Sequence, residues 1–430
     1  MSRFPVPEVD LPRPQPLAGV DKPGPRALAA GLTAFAAVAA MGLVAGPAAA
    51  VPFAGPCALE RTAAHHSEGL DTWNPAYPKP KKTLNAVMVF LSFPDSLPLT
   101  TPDELASDYF PSTSRFFDRA SYGKFSLVPH PQRQWVQMPH ASTAYAIQRD
   151  WDAAHRSAYL QDALKAANPY TDFSKYDVVY FVADPDAPGV DSDATKVVNF
   201  DQPMRADGTD IRRIVTVFER HPPDRNVLAH ETGHVFDLPD LYHRPTDGKG
   251  DWDTYVGDWD VMGSQFGLSP DLFGWHKWKL GWLDQRQVTC VKRSGETRLT
   301  LEPLSTGPRG AGSPFGTGGG TKLAVIRTGV DSAIALEARG GSGNDAATCS
   351  RGVLVYRVRS DSSSGGGPME VLDAHPRTEA CYGESVYPPL ADAPVGVGET
   401  FTVPGDDNIR VEAENRTASG AWTVKVTTTG

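Results

Sequence analysis

The chain contains 430 residues, of which 40% are hydrophobic and 21% are charged, and its formal net charge is −10. This length and composition fit a globular protein of two or three domains. The acidic balance argues against a nucleic-acid-binding protein and against an anionic membrane surface as a partner, because both normally require a basic face.

The first 50 residues have the layout of a secretory signal peptide. A polar, proline-rich stretch ends at Arg26, an uncharged apolar run follows over 27–46, and Ala48 and Ala50 provide a small-x-small cleavage site. We therefore expect a secreted, extracellular protein with no stable membrane partner. An uncleaved membrane anchor is the alternative, because the apolar run is nearly long enough to span a bilayer.

Four cysteines are present, and none of them belongs to a C-x-x-C pair, which argues against a cysteine metal site. In an exported chain an even number of cysteines predicts two disulfides. Three pairings are possible. We expect Cys57–Cys290 together with Cys349–Cys381, because each bond would then staple one region of the chain.

Predicted strands and helices alternate between residues 84 and 285. The strand predictions rest on Val and aromatic residues bounded by turn residues, and the helix predictions rest on apolar residues at helical spacing. The predicted strands are 85–93, 176–184 and 213–219, and the predicted helices are 112–121 and 153–167. This alternation predicts an α/β (α+β) layer domain. Residues 51–83 precede it as an N-terminal arm or a short pro-segment.

The segment NVLAHETGHVFDLPDLYH begins at Asn226 and carries His230 and His234 four residues apart. On a helix these two imidazoles lie on one face, one turn apart, so both can reach one Zn²⁺. Glu231 is rotated to the side of that face, where it can act on an activated water as a general base. The alternative is an ordinary helix that carries polar residues.

A catalytic zinc requires a third protein ligand, and Asp240 is the predicted one. Pro239 disfavours continuation of the helix, and Asp237 tolerates the left-handed turn conformation, so the chain must turn here. Such a turn brings Asp240 back toward the two histidines. His243 and Asp260 are the alternatives for this ligand.

Several further residues are candidates for the same site. A turn containing Met262 is predicted to form a floor beneath the zinc, with plain core packing as the alternative. Tyr242 and Tyr255 are candidates for the donor that stabilises an oxyanion. Phe266 and Leu268 are candidates for the wall of a pocket after the scissile bond.

A group of acidic residues follows the motif. Like charges at this density require a cation or basic partners, so a Ca²⁺ site is one interpretation in an extracellular chain. A solvated acidic loop is the favoured interpretation. The residues are Asp247, Asp251, Asp253, Asp258 and Asp260.

From residue 286 to residue 430 the chain changes to short β-rich runs separated by Gly, Ser and Pro. This pattern predicts an all-β domain, either a sandwich or a barrel. The runs are TRLTLEP, TKLAVIR, AIALEAR, GVLVYRV, ETFTVP, NIRVEAE and WTVKVTT.

The sequence HETGH, followed by LPDLY, resembles the active-site helix and exit loop of the immune inhibitor A-type metallopeptidases, which are secreted zinc endopeptidases related to the metzincins. The resemblance covers roughly residues 84–360. It implies a zincin- or metzincin-like catalytic domain, Zn²⁺ held by His230, His234 and Asp240, and protein or peptide substrates cleaved with Glu231 as the base. The flanking segments that are also similar are FFDRASYGKFSL, DFSKYDVVYFVAD, WDVMG, HKWKLGWL, AIALEARGGSGND and RGVLVYRV.

This sequence departs from the family pattern in three respects. Asp237 stands where the family usually has Gly, and His243 stands where it often has an acidic residue. The segment 51–83 is also too short for the family's pro-domain.

The sequence therefore predicts a secreted, monomeric zinc-dependent endopeptidase. One alternative is a non-proteolytic protein on the same scaffold, whose β-rich region binds a surface polymer. Another is a zinc hydrolase that acts on a glycan or on peptidoglycan. Glu231 argues against the first alternative, because a structural metal site needs no general base.

Overall fold

A computed structural model of the chain describes residues 55–429 with short gaps. The residues that it does not describe are 1–54, 65–67, 72–73, 225, 246–248, 269–270, 293, 308–319, 407 and 430. The predicted signal peptide and Asp247 therefore lie outside the described residues.

A five-stranded mixed sheet forms the first layer of the fold. Its strands are β1 (Lys82–Ser92), β2 (Phe125–Gln137), β3 (Val178–Ala183), β4 (Lys196–Ala206) and β5 (Thr209–Val217). Their order is β2-β1-β3-β5-β4. All neighbours pair in parallel except β4, which is antiparallel to β5 and forms one edge of the sheet.

Helices cover both faces of this sheet. They are α1 (Pro102–Tyr109), α2 (Ser112–Ala120), α3 (Ala153–Ala167), α4 (Val227–Val235) and α5 (Gly274–Lys279). Alternate residues of β1 serve the two faces: Met88 and Phe90 pack in the core with α1, α2 and α4, whereas Val87 and Val89 pack in the core with α3. Burial on both faces explains why residues 86–91 of β1 and all of β3 are continuously apolar.

The remainder of the chain forms two packed sheets. Their strands are β6 (Val288–Cys290), β7 (Gly295–Leu301), β8 (Leu323–Arg327), β9 (Ser332–Arg339), β10 (Gly352–Arg359), β11 (Met369–Val371), β12 (Thr400–Thr402), β13 (Ile409–Arg416) and β14 (Trp422–Thr428). The orders are β11-β10-β9-β8-β6 and β12-β13-β14-β7. Residues of both sheets share one apolar cluster, which makes this region a sandwich.

The inner sheet of the sandwich contains β8, β9 and β10, and the outer sheet contains β13 and β14. The inner sheet has two apolar faces. Ala324 and Ile334 pack toward the outer sheet, whereas Leu323 and Ala333 belong to the same core as α4 and α5. The region beyond residue 286 therefore shares a core with the region before it, and the chain from residue 51 onward forms one compact unit.

The predicted elements agree with the observed ones where the local pattern is regular. The three predicted strands correspond to β1, β3 and β5, and the two predicted helices correspond to α2 and α3. All seven β-rich runs are strands, so the mixed fold with a β-rich C-terminal region is confirmed. The elements that were not predicted are β2, β4, β6, β11, α1 and α5.

Both predicted disulfides are present. Cys57–Cys290 ties the N-terminal arm to β6, and Cys349–Cys381 closes a loop within the C-terminal region. None of the helices in the described part of the chain is long and apolar enough to cross a membrane.

A buried ionic network joins the sandwich to the first layer. The Arg339 side chain is fully buried and contacts Glu337 at 2.9 Å and Asp345 at 2.6 Å, and both partners are also fully buried. Arg339 also donates to the Trp259 carbonyl at 2.9 Å, and Glu337 accepts from the Gly274 amide at 2.7 Å. The network therefore fixes β9 against the start of α5.

Loss of Arg339 should destabilise the whole protein. Arg339→Met leaves Glu337 and Asp345 buried without their cation, and breaking such a group typically costs about 3–5 kcal/mol. The free energy of unfolding, measured by urea denaturation, should fall by that amount. Arg298→Met is the control, because Arg298 pairs with Glu414 on the surface and exposed pairs contribute little. An equal loss in both variants would contradict the role given to the network.

Candidate metal centre

The helix α4 is buried at every position from Val227 to Val235. Gly233 allows it to pack closely, because a Cβ atom at this position would lie 2.3 Å from the sulfur of Met262. Met262 is fully buried, and its sulfur packs against Gly233 of the helix. The structure thus places Met262 in the core and against the helix that carries the two histidines.

The two histidines of α4 direct one ring nitrogen each toward a common point. The Nδ1 atom of His230 lies 2.8 Å from the Val261 carbonyl, and the Nδ1 atom of His234 lies 2.8 Å from the Leu238 carbonyl. A carbonyl only accepts, so each Nδ1 carries a proton and each Nε2 faces the common point. The two Nε2 atoms are 3.3 Å apart.

A left-handed turn ends the helix. The Leu238 amide donates to the Gly233 carbonyl at 3.2 Å, and the Asp237 amide donates to the His234 carbonyl at 3.2 Å. Asp237 has a φ of 66°. These are the two hydrogen bonds and the left-handed residue of a Schellman motif, which reverses the chain after a helix.

The reversal brings Asp240 to the histidines, as the turn predicted from Pro239 requires. Its Oδ1 atom lies 3.3 Å from the Nε2 atom of His230 and 3.1 Å from that of His234. Within the described part of the chain, the side chains of His230, His234 and Asp240 form one group whose potential metal-ligand atoms lie close together.

The residues fit a tetrahedral Zn²⁺. Ligands at about 2.0–2.1 Å from a tetrahedral zinc are roughly 3.3 Å from one another, which matches the separations of these three atoms. Asp240 Oδ1 is buried and faces the two imidazoles. A proton on one Nε2 could serve one contact at a time, whereas a metal ion serves all three.

The electrostatic field of the centre favours a positive charge. Burial lowers the pKa of His234, but the Asp240 carboxylate outweighs this effect and raises the pKa to about 10. Burial likewise raises the pKa of Asp240, but the two imidazoles outweigh it and hold the pKa well below its usual range. Both pKa shifts indicate that a positive charge is favoured among the three groups.

Glu231 lies beside these groups with only 7% of its surface exposed. Burial raises the pKa of its carboxyl group. Its Oε2 atom accepts a hydrogen bond of 2.7 Å from the amide of Val197, which belongs to the edge strand β4. Sequence reasoning missed Val197, because β4 was not predicted.

The C-terminal region holds Asp240 from the other side. The Asp240 amide donates to the Ser364 hydroxyl at 2.9 Å, and that hydroxyl lies 3.3 Å from Asp240 Oδ2. The Gly365 amide donates to the Asp240 carbonyl at 3.1 Å. Ser364 thus occupies one carboxylate oxygen and leaves Oδ1 facing the histidines.

A cavity of about 760 Å³ opens over the centre. Tyr242 and Phe266, two of the residues predicted to contact a substrate, line it. Burial and the Asp240 carboxylate raise the pKa of Tyr242, so its phenol stays a hydrogen-bond donor. Glu219 also lines the cavity, and burial raises its pKa to about 7. No sequence signal had singled out Glu219.

Other candidates lie elsewhere. The Tyr255 ring packs against His243 with centroids 4.9 Å apart, and neither residue lines the cavity. Leu268 is 7% exposed and also lies outside the cavity lining. His243 is therefore separate from the three converging side chains.

Asp260 supports the turn that carries Met262. One carboxylate oxygen accepts from the Met262 amide at 2.8 Å. The other accepts from the Phe273 amide at 2.6 Å and contacts His276 Nδ1 at 2.9 Å. Because both oxygens are occupied, Asp260 holds the floor of the site and does not converge with the histidines.

The acidic group after the motif is dispersed. Asp258 is 4% exposed and accepts hydrogen bonds from two backbone amides and a serine hydroxyl, which satisfies a structural role. Burial, with Asp251 and Asp258 nearby, raises the pKa of Asp253 to about 6, and Asp253 lines the cavity. Asp251 is exposed. The described members do not converge on one point.

Comparisons with known proteins do not establish a family for this chain. No protein-family model matches the chain, and a search of curated protein sequences finds no match. Among solved structures the chain is similar to wild-type OgpA from Akkermansia muciniphila, with 11% identity and a TM-score of 0.28 over 81% of this chain and 94% of that one. A likeness at this level establishes no activity, so the functional argument rests on the site.

Ser364→Ala should weaken metal binding. It removes the hydroxyl that orients Asp240, and loss of such an outer partner typically costs about 10–100-fold in metal affinity. The zinc dissociation constant can be measured by competition with a chromogenic chelator. Ser362→Ala is the matched control, because Ser362 lies in the same loop and donates to the Gly366 carbonyl at 2.9 Å. A wild-type affinity in Ser364→Ala would refute the orienting role.

Proposed function

We propose that this chain is a secreted zinc-dependent endopeptidase that hydrolyses peptide bonds of proteins. The observation that carries the proposal is the convergence of His230, His234 and Asp240 at 3.1–3.3 Å, with the buried Glu231 carboxylate beside them in a cavity. Three protein ligands with an adjacent carboxylate are what a catalytic zinc requires, whereas structural sites are closed by four ligands.

The ligand atoms would be Nε2 of His230, Nε2 of His234 and Oδ1 of Asp240. When bound, Zn²⁺ supplies Lewis-acid polarisation of the substrate carbonyl and lowers the pKa of a water molecule. The hydrogen bonds on the two Nδ1 atoms keep both imidazoles in the tautomer that this role needs.

Glu231 is the proposed general base. Its carboxylate accepts a proton from the attacking water and returns it to the leaving amine nitrogen. The 2.7 Å hydrogen bond from the Val197 amide to Oε2 fixes the plane of the carboxylate. Tyr242 is the proposed donor to the oxyanion, because its phenol lines the same cavity.

The edge strand β4 favours a polypeptide as the substrate. Lys196, Val197 and Asn199 of β4 line the cavity. A strand at the edge of a sheet can bind an extended peptide through those backbone groups that remain free, and in β4 the Val197 amide is already bound to Glu231. A scissile peptide lying along β4 would pass Glu231, since Val197 already contacts that side chain.

Metal removal tests the activity directly. The mature protein should cleave denatured casein, o-phenanthroline should stop the cleavage, and added Zn²⁺ should restore it. Cleavage that persists after verified removal of zinc would disprove the metal mechanism. Release of sugars from glycans or peptidoglycan without any peptide cleavage would instead support a glycan hydrolase.

Glu231→Gln should separate catalysis from metal binding. The variant keeps the shape of the side chain and should retain zinc, but turnover should fall by about 10²–10⁴, because a positioned general base is lost. Zinc content by atomic absorption and casein turnover measure the two effects. Glu414→Gln, a partly exposed position on β13 outside the cavity lining, is the control. Loss of zinc in Glu231→Gln would show that Glu231 is a ligand.

A further inference from the structure

A buried ion pair lies next to the metal centre, and the proposed reaction does not use it. Lys279, the last residue of α5, and Asp237, in the turn after α4, are both fully buried, with Nζ and Oδ2 3.0 Å apart. Two charges are costly to bury and are kept only where their geometry is well satisfied.

The Lys279 ammonium is directed at the backbone of the turn as well as at its charge. Besides the Asp237 carboxylate, Nζ donates to the Asp237 carbonyl at 2.7 Å and to the Gly69 carbonyl. An ammonium has three protons, and these three contacts use all of them. Lys279 therefore joins the turn to the part of the N-terminal arm that the structure describes before β1, within residues 55–81.

The arm contacts the same turn a second time. The Asn74 amide donates to Asp237 Oδ2 at 3.0 Å. Nearby, the Trp275 indole of α5 donates to the Leu70 carbonyl at 2.7 Å, so the arm and α5 are also joined to each other. The Asp237 carboxylate thus lies between the lysine of α5 and an amide of the arm.

Asp237 needs this support because of its backbone. Its φ of 66° lies in the left-handed region, which is unfavourable for a non-glycine residue. Asp237 stands three positions after His234 and three before Asp240, so its backbone conformation sets where the Asp240 carboxylate lies.

We propose that Lys279 and the N-terminal arm position Asp240 by holding Asp237 in its left-handed conformation. Lys279 is a positioning residue, and the arm is a permanent part of the metal centre and not a removable pro-segment. The proposal rests on the ligand set of the proposed function, His230, His234 and Asp240.

The test compares two lysines of one helix. Lys277, two residues earlier in α5, is equally buried and pairs with Asp271 at 2.6 Å, away from the turn. Lys279→Met and Lys277→Met each remove a buried ammonium and should destabilise the metal-free protein. The zinc dissociation constant should rise about 10–100-fold only in Lys279→Met, as for other residues that orient a ligand.

A milder variant covers the case in which Lys279→Met does not fold. Asp237→Asn keeps a side chain that tolerates a positive φ but loses the charge that Lys279 binds. Its zinc affinity should also fall, and the visible spectrum of its Co²⁺ form should differ from that of the wild type, because the position of Asp240 changes. The Co²⁺ spectrum of Lys277→Met should match the wild type.

Metal affinity and spectra are measured without any substrate, so the outcomes are distinguishable. If the wild type binds no zinc, the proposed function fails. If the wild type binds zinc and both Lys279→Met and Asp237→Asn bind it as tightly, the positioning proposal fails while the proposed function stands.

The role of the arm is tested by the effect of zinc on the contacts of the arm. Coupling between two sites is reciprocal, so if the arm favours zinc binding, zinc must stabilise the arm's contacts. Hydrogen exchange at the Asn74 amide should slow when zinc is added. The Ala58 amide, which bonds within the arm to the Gly55 carbonyl at 3.2 Å, is the internal control. Unchanged exchange at Asn74 would overturn the arm's role.

Discussion

Two imidazole nitrogens and one carboxylate oxygen face one another at 3.1–3.3 Å in a buried part of the protein, and the rest of the site depends on this arrangement. Burial removes the water that would otherwise solvate the Asp240 carboxylate, so this charge needs a positive charge beside it. The surrounding structure holds His230, His234 and Asp240 in a geometry in which one cation could contact all three.

Each of the three groups is fixed by a different part of the chain. The Val261 carbonyl orients His230, the Leu238 carbonyl orients His234, and Ser364 orients Asp240. Ser364 lies between β10 and β11, far along the sequence from the helix. The apolar core that the sandwich shares with the first layer therefore also keeps Ser364 next to Asp240.

The parts of the site that local physics controls could be predicted from the sequence. Helical spacing placed His230 and His234 on one face, and Pro239 required the turn that returns Asp240. The contacts of Val197 and Ser364 could not be predicted, since both depend on distant pairings. The strand β4 contains Pro203 and a register shift, which obscure its alternating pattern.

Two other features were not predicted from the sequence, because they too depend on distant contacts. The strand β2 contains Pro129 and Pro131, which are tolerated because β2 is the other edge of the sheet. The burial of Lys277 and Lys279 was not predicted from the sequence. Lysines are rarely buried without a partner, and the partners of these two lie elsewhere in the chain.

The buried charges are concentrated where α5 meets the turn, the arm and the sandwich. Lys279 contacts Asp237, and Lys277 contacts Asp271. Arg339 contacts Glu337, which accepts a hydrogen bond from the Gly274 amide at the start of α5. Apolar contacts are non-directional, so an interface built only from them tolerates small shifts. Hydrogen-bonded charges fix both distance and direction. A metal site tolerates displacements of only about 0.5 Å in its ligands, so the polar contacts around α5 supply a constraint that the hydrophobic core alone does not.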